Sequence, residues 1–324
     1  MSLAALGWNE TRQLDFANSA AEGLVPGRIV GEHRTHYRVA IADGEIDAGV
    51  TGRLRQAAAS RADLPGTGDF VALRPGNGAD KAVIEAVLPR SSALIRKASG
   101  ETRPQLLAAN VDVVFIVIAL DGDFNLARLA RYLALVHASG ARPVVIANKV
   151  DLSDDPMARV AEIGNAAPGV PVHAISARAT DAIAVLAPYF DGDRTIAFVG
   201  SSGVGKSTLT NRLLGNAVQA IQEVRAHDNR GRHTTTHRHL FVRPQGGAIM
   251  DTPGMRGLEL WTSESTIAPD FSDIEALAGR CKFRNCRHGT EPSCAVRAAI
   301  DAGELDPERL VRFAAQVEKG RRVW

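Results

Sequence analysis

Two kinds of hydrophobic spacing divide the chain. In residues 27–95 the apolar positions come in short bursts, at 28–30, 37–41 in near alternation, 45–50, 69–73 and 82–87, punctuated by Gly44, Gly66, Gly68, Pro75 and Gly76. Alternation broken by turn residues predicts short half-buried strands. Five of them in this length predict a small OB-type β-barrel. From residue 111 the runs lengthen and become continuous: 111–120, 143–147, 172–175, 195–199 and 247–250 read as buried strands. Asn125 caps a helix that ends at Gly140, and residues 209–214 read as another helix. Buried strands alternating with helices predict a mostly parallel sheet, whose ligands bind at the carboxyl ends of the strands. The remaining stretches are a leading segment, 1–26, with Leu3, Leu6 and Trp8 as packing residues, a polar, partly basic connector at 91–105, and two terminal helices at 296–302 and 307–319.

Strand exits are therefore where chemistry is expected, and residues 200–208 follow one. Gly200, Ser201, Ser202, Gly203, Val204, Gly205, Lys206, Ser207 and Thr208 fit the strand, glycine loop, helix pattern of a P-loop. In such a loop the backbone NH groups and the helix N-terminus cradle phosphates, Lys206 supplies a point charge, and the Ser207 hydroxyl supplies a ligand to Mg²⁺. Another exit carries Asn148, Lys149, Val150 and Asp151. A carboxylate there can accept two parallel hydrogen bonds from guanine, a pattern adenine does not offer, so Asp151 selects GTP over ATP. Asn148 can bond the base edge and its own loop, and the Lys149 stem can cover the sugar. Ser176 and Ala177, followed by Arg178, can support the guanine oxygen through backbone NH groups. Residues 231–236 place Thr235, with Thr234 second, where a hydroxyl can complete a magnesium shell. Asp251 and Gly254, in Asp-Thr-Pro-Gly, bring a carboxylate near the metal and an NH near the last phosphate.

The order is unusual. GTP-binding domains ordinarily begin with the P-loop and end with the guanine-reading loop, whereas here Asp151 precedes Gly200, so the domain reads as a circular permutation. Downstream lie Cys281, Cys286, His288 and Cys294, three thiolates and one imidazole spaced for a closed tetrahedral zinc site that serves folding. Arg280, Lys282, Arg284 and Arg287 beside them are the best candidate for phosphate-backbone contact, with a solvated charged face as the alternative.

Composition narrows the setting. With 324 residues, 45% hydrophobic and 23% charged, the chain has room for two or three domains and is neither disordered nor fibrous. Its longest apolar run is too short to span a bilayer, and the N-terminus lacks a basic region followed by an apolar core. A cytoplasmic protein with no membrane partner is expected. Three clustered cysteines favour metal over disulfides in that compartment. A net charge of +2 selects no partner. Residues 1–95 hold ten basic against eleven acidic side chains and show no aromatic platform, leaving RNA binding and mere packing equally open for the barrel.

Taken together, these motifs resemble the ribosome small-subunit-dependent GTPase family RsgA, also called YjeQ, over nearly the whole chain. The resemblance implies a slow GTPase, turning GTP into GDP and phosphate, that is stimulated by the small ribosomal subunit and acts late in its assembly through ribosomal RNA. The alternative is a GTP-gated RNA-binding module in which hydrolysis is incidental. Met255 stands where many GTPases carry a Gln that orients the attacking water, and it cannot do so. His233, beside Thr235, is the nearest group able to replace it, and the resemblance also points there. The expected architecture is an α/β monomer. It has a leading segment and barrel (1–95), a circularly permuted P-loop GTPase domain with a mostly parallel sheet (96–262) and a small helical zinc-binding domain (263–324).

Overall fold

The computed structural model describes residues 3–33, 35–76, 81–97, 104–179, 182–215 and 239–251, then 274, 277–283, 286, 288–289, 291–303, 305 and 310. Contacts divide the chain into two units, 1–261 and 262–324. The first unit opens with α1 (Glu10–Ala21), capped by Asn9, whose side chain accepts the Arg12 NH at 3.1 Å. The strands β1 (Val25–Glu32), β2 (Tyr37–Ile41), β3 (Gly44–Val50), β4 (Phe70–Arg74) and β5 (Ala82–Val87) then close a barrel. β1 pairs β2, β2 pairs β3, β3 runs parallel to β5, β5 pairs β4, and β4 returns to β1. A short helix, α2 (Gly52–Ala57), links β3 towards β4. Ile29, Val39, Ala48, Val71, Leu73 and Ile84 fill the barrel. Gly27 is required there, because a Cβ would collide with Val39 and Leu73.

Residues 91–105, expected to be a connector, contribute to structure. β6 (Ala93–Lys97) and β7 (Pro104–Ala109) form a separate antiparallel pair. Leu94, Leu106 and Leu107 bury from it, too few and too scattered among polar neighbours to register as a periodic run.

Next come β8 (Val113–Ala119), α3 (Leu126–Ser139), β9 (Arg142–Asn148), α4 (Pro156–Ala166), β10 (Val172–Ile175), β11 (Thr195–Val199), α5 (Lys206–Leu214), β12 (His239–Val242) and β13 (Ala248–Asp251). Their order in the sheet is β10, β9, β8, β11, β13, β12, parallel except for β12. β8 is buried along its whole length and its residues alternate between two cores. Val114, Ile116 and Ile118 join Leu129, Tyr132 and Val136 of α3 on one face, while Phe115 and Val117 join Leu209, Leu213 and Phe198 on the other. From β8 the chain winds outward to β9 and β10, then returns to β11 on the opposite side of β8. That reversal makes a crevice at the carboxyl ends of β8 and β11.

β12 was not apparent in the sequence, since the strand is only four residues long and follows a polar stretch. It pairs with β13 on one side and, through His239 opposite Gly31, with barrel strand β1 on the other. Barrel and parallel sheet are thus one hydrogen-bonded surface.

Arg28 joins three parts of this unit. It is 1% exposed, and its guanidinium donates to Gly68 O at 3.1 Å, Asn110 O at 3.0 Å and Leu6 O, with the Phe70 ring 4.6 Å away. Burial lowers its pKa to about 10, which still leaves it charged at neutral pH. Arg28→Ala would take the guanidinium from the Leu6 and Asn110 carbonyls, while Gly68 O keeps its bond from Asn110 Nδ2 at 3.1 Å, and is expected to destabilise the unit by about 3–5 kcal/mol. Urea denaturation reads this directly, and an unchanged midpoint would contradict it.

Candidate guanine-nucleotide site and metal cluster

The P-loop leaves β11 at the crevice. Gly200, Gly203 and Gly205 have φ of 145°, 78° and 105°, a region that other residues enter only under strain. A Cβ on Gly200 would strike the Val117 carbonyl of β8, and one on Gly205 would strike the Asn148 side chain. The loop therefore lies directly against its neighbours. Ser202 and Gly203 are exposed at its tip, Val204 is buried beneath it, and Ser207 and Thr208 are exposed in the first turn of α5. Lys206 Nζ donates to Gly200 O at 2.5 Å and to Ser201 O.

Asn148 ties two parts of the site together. Its side chain is 1% exposed, with Nδ2 donating to Val204 O at 2.7 Å and Oδ1 accepting the Ala177 NH at 2.8 Å. The carboxamide is a brace between the P-loop and the exit of β10. Lys149, in the left-handed region at φ 64°, donates to Asp121 Oδ2 at 2.6 Å. That bond holds the Asp121 carboxyl below the usual carboxylate range. Val150 begins a 3-10 turn that contains Asp151. The Asp151 carboxyl is fully exposed and is also held below its ordinary range, chiefly by the Ser176 hydroxyl. It is therefore an ionised double acceptor at neutral pH.

The structure thus gathers Asn148, Lys149, Val150, Asp151, Ser176, Ala177 and residues 200–208 at one end of the sheet. Asp251 closes β13. His233, Thr234, Thr235, Gly254 and Met255 lie outside the described residues. Sequence reasoning missed three contributors. Asp121 is the residue just past the buried run of β8, a signal that was available. Arg128 reaches Ser201 Oγ from α3, and Arg212 of α5 donates to Ala177 O at 2.6 Å and to Ala179 O. Neither Arg belongs to a motif.

In the second unit Cys281, Cys286, His288 and Cys294 converge, their ligand atoms all within 4.8 Å of one another. Cys281 and Cys294 sulfurs are 3.8 Å apart, and His288 Nδ1 is 3.6 and 3.4 Å from them. Sulfurs bonded at about 2.3 Å to one tetrahedral ion would be about 3.8 Å apart. His288, at φ 59°, turns the chain so that its ring faces the thiols. Cys294 caps α6 (Ala295–Asp301) and accepts the Arg297 NH at 3.5 Å. Burial opposes ionisation of Cys281, yet NH groups of Ala295 and Val296 carry its thiol below the ordinary value. The His288 NH favours the Cys286 thiolate, but burial and the adjacent Cys294 and Cys281 prevail and push it up to about 11. Three thiolates this close need a cation among them, so the residues fit a metal.

A family model described as RsgA GTPase matches residues 87–261. The chain is 47% identical over 323 residues to the small ribosomal subunit biogenesis GTPase RsgA of Opitutus terrae, covering 97% of this chain and 88% of that protein. Its fold is similar to that of YjeQ from Thermotoga maritima, with a TM-score of 0.58 at 24% identity over 91% of this chain and 98% of that one. It is also similar to YloQ, described as a circularly permuted GTPase, with a TM-score of 0.53 at 29% identity over 91% and 96%. Barrel topology, motif order and sequence agree: the chain belongs to the RsgA GTPase family.

Proposed function

We propose that this chain hydrolyses GTP to GDP and phosphate in the cytoplasm, as a monomer, during assembly of the small ribosomal subunit, and that docking on the subunit's RNA accelerates the reaction. The observation that carries this reading is the Asn148 brace, which fixes the guanine-reading loop and the phosphate loop at a single crevice. Asp151 takes the guanine edge, Ala177 NH and Ser176 support the base loop, and the NH groups of residues 201–208 with Lys206 hold the phosphates. Ser207 and Thr235 would hold Mg²⁺, which neutralises charge on the phosphate oxygens when bound. Asp251 supports that shell and Gly254 NH meets the last phosphate. His233 orients the attacking water in place of the absent Gln. Cys281, Cys286, His288 and Cys294 hold one structural zinc. The domains run 1–95, 96–262 and 263–324.

RNA contact falls to the barrel and the zinc unit. A cleft of 660 Å³ on the barrel is flanked by His33 and His36, stacked at 4.5 Å, together with Tyr37, Arg55 and Arg61. These groups supply the stacking and positive charge that composition did not reveal. In the zinc unit, exposed Phe283 lies beside Lys282. No helix among the described residues is long and apolar enough to cross a membrane.

The test is GTP turnover titrated with purified small subunits at two salt concentrations. Stimulation of at least tenfold is expected, weaker at the higher salt because phosphate contacts release counterions. A rate indifferent to subunits would favour a binding module with incidental hydrolysis.

A further inference from the structure

A chain of polar contacts runs along the loop after β8 from the guanine side of the crevice to the phosphate side. Asp121, held by Lys149, accepts the Asp123 NH through Oδ1 at 3.1 Å. The Asp123 carboxylate takes Arg128 Nη1 at 2.7 Å, and the same nitrogen donates to Ser201 Oγ. Ser201 is 3% exposed and is the second residue of the phosphate loop. Its carbonyl is held by Lys206 and its hydroxyl by Arg128, so the residue is gripped on both sides.

Arg128 is itself well placed to hold. Its backbone NH is taken by Oδ1 of Asn125, the cap of α3, at 2.9 Å, which anchors the residue in the helix's first turn. The space left between Asn125, Arg128, Tyr132, Ser201 and Val204 is a cavity of only about 10 Å³. That is room for one water at most. A glycine-rich loop works by presenting NH groups already aimed at the phosphates, so a loop free to rotate its peptide planes binds less well. Lys206 restrains the plane after Ser201 through its carbonyl, and the Arg128 bond fixes the side chain of the same residue, so the turn into that plane is held from both sides.

We propose that Arg128 is a positioning residue for the phosphate loop: by holding the Ser201 hydroxyl, with Asp123 steadying its guanidinium, it keeps the NH groups that follow turned toward the nucleotide's phosphates. This rests on the nucleotide reading above. A buried hydroxyl needs a partner, and Arg128 provides it from an element outside every recognised motif.

Equilibrium and stopped-flow binding of N-methylanthraniloyl-GDP to the full chain and its variants tests this. Arg128→Ala and Ser201→Ala are each expected to speed nucleotide dissociation about tenfold, with the melting temperature lowered by only a few degrees so that the chain stays folded in the assay. The double variant should dissociate no faster than the faster single one, because both remove the same bond. Arg128→Lys should restore part of the effect, since an ammonium can donate to both Ser201 and Asp123 but does so from a shorter, more flexible stem. Wild-type dissociation from Arg128→Ala, or single effects that multiply in the double variant, would overturn the proposal. If the unaltered chain fails to bind the probe, the nucleotide reading fails and takes this inference with it.

Discussion

Asp151→Asn is expected to weaken GTP binding on the order of a thousandfold while creating affinity for xanthosine triphosphate. Guanine presents two donors side by side, N1–H and the exocyclic amine, and the ionised Asp151 carboxylate presents two acceptors. The bond from Ser176 keeps that carboxyl below its usual range, so both oxygens stay available at neutral pH. An amide keeps one acceptor and turns the other into a donor that faces the guanine amine. Xanthine carries a carbonyl in place of that amine, so the amide fits it. The exchange leaves the Asn148 brace and the P-loop intact, because their bonds involve Val204 and Ala177 and not residue 151. Competition of the two triphosphates against N-methylanthraniloyl-GDP for the unaltered chain, and against the corresponding xanthosine diphosphate probe for the variant, reads both affinities. An Asp151→Asn chain that kept wild-type GTP affinity would remove Asp151 from the base site and, with it, the reason to prefer GTP to ATP.

Strand exits were legible in the sequence because they are fixed by short-range chemistry. A buried parallel strand must be a continuous apolar run, and the loop that receives a phosphate must be glycine-rich, so β8, β9, β10 and β11 and the motifs behind them could be placed from residues alone. Cys281, Cys286, His288 and Cys294 were legible for the same reason, since spacing alone limits what three thiols and an imidazole can surround. Contacts made across the fold were not. Nothing near Asn148 in sequence predicts that its amide would be spent on Val204 and Ala177. Arg28 reads as an ordinary strand residue, and only the closing of Leu6, Gly68 and Asn110 around it makes it the joint of the unit. β12 is the sharpest case, because its role lies in having partners on both edges. It follows directly the stretch that holds Thr235, pairs with the strand that ends at Asp251, and pairs with the barrel at Gly31. β13, which ends at Asp251, therefore lies one hydrogen-bonded strand away from the barrel, a relation no local pattern encodes.

Removal of the metal from the C-terminal unit is expected to have the largest structural effect of any perturbation here. Among the described residues of that unit Ile274, His288, Cys294, Val296, Ala299 and Leu305 are buried, with Cys281 and Cys286 packed against them, so the ligands are themselves part of the core. A unit spanning only 262–324 is of the size at which apolar burial is marginal and a structural metal adds most. A structural zinc supplies on the order of 10–16 kcal/mol of apparent binding energy at neutral pH, which becomes folding energy when the site does not exist in the unfolded chain. Without the ion, nothing ties the four side chains together, and the cap that Cys294 gives α6 loses its anchor. Metal analysis should find one zinc per chain, and a strong chelator, or Cys294→Ser, should open residues 274–305 to proteolysis and amide exchange. N-methylanthraniloyl-GDP binding should persist, because every residue assigned to the nucleotide lies in the first unit. If the chain carries no metal and yet protects residues 274–305 from protease, the four ligands are an ordinary buried cluster and the unit folds on its apolar contacts alone.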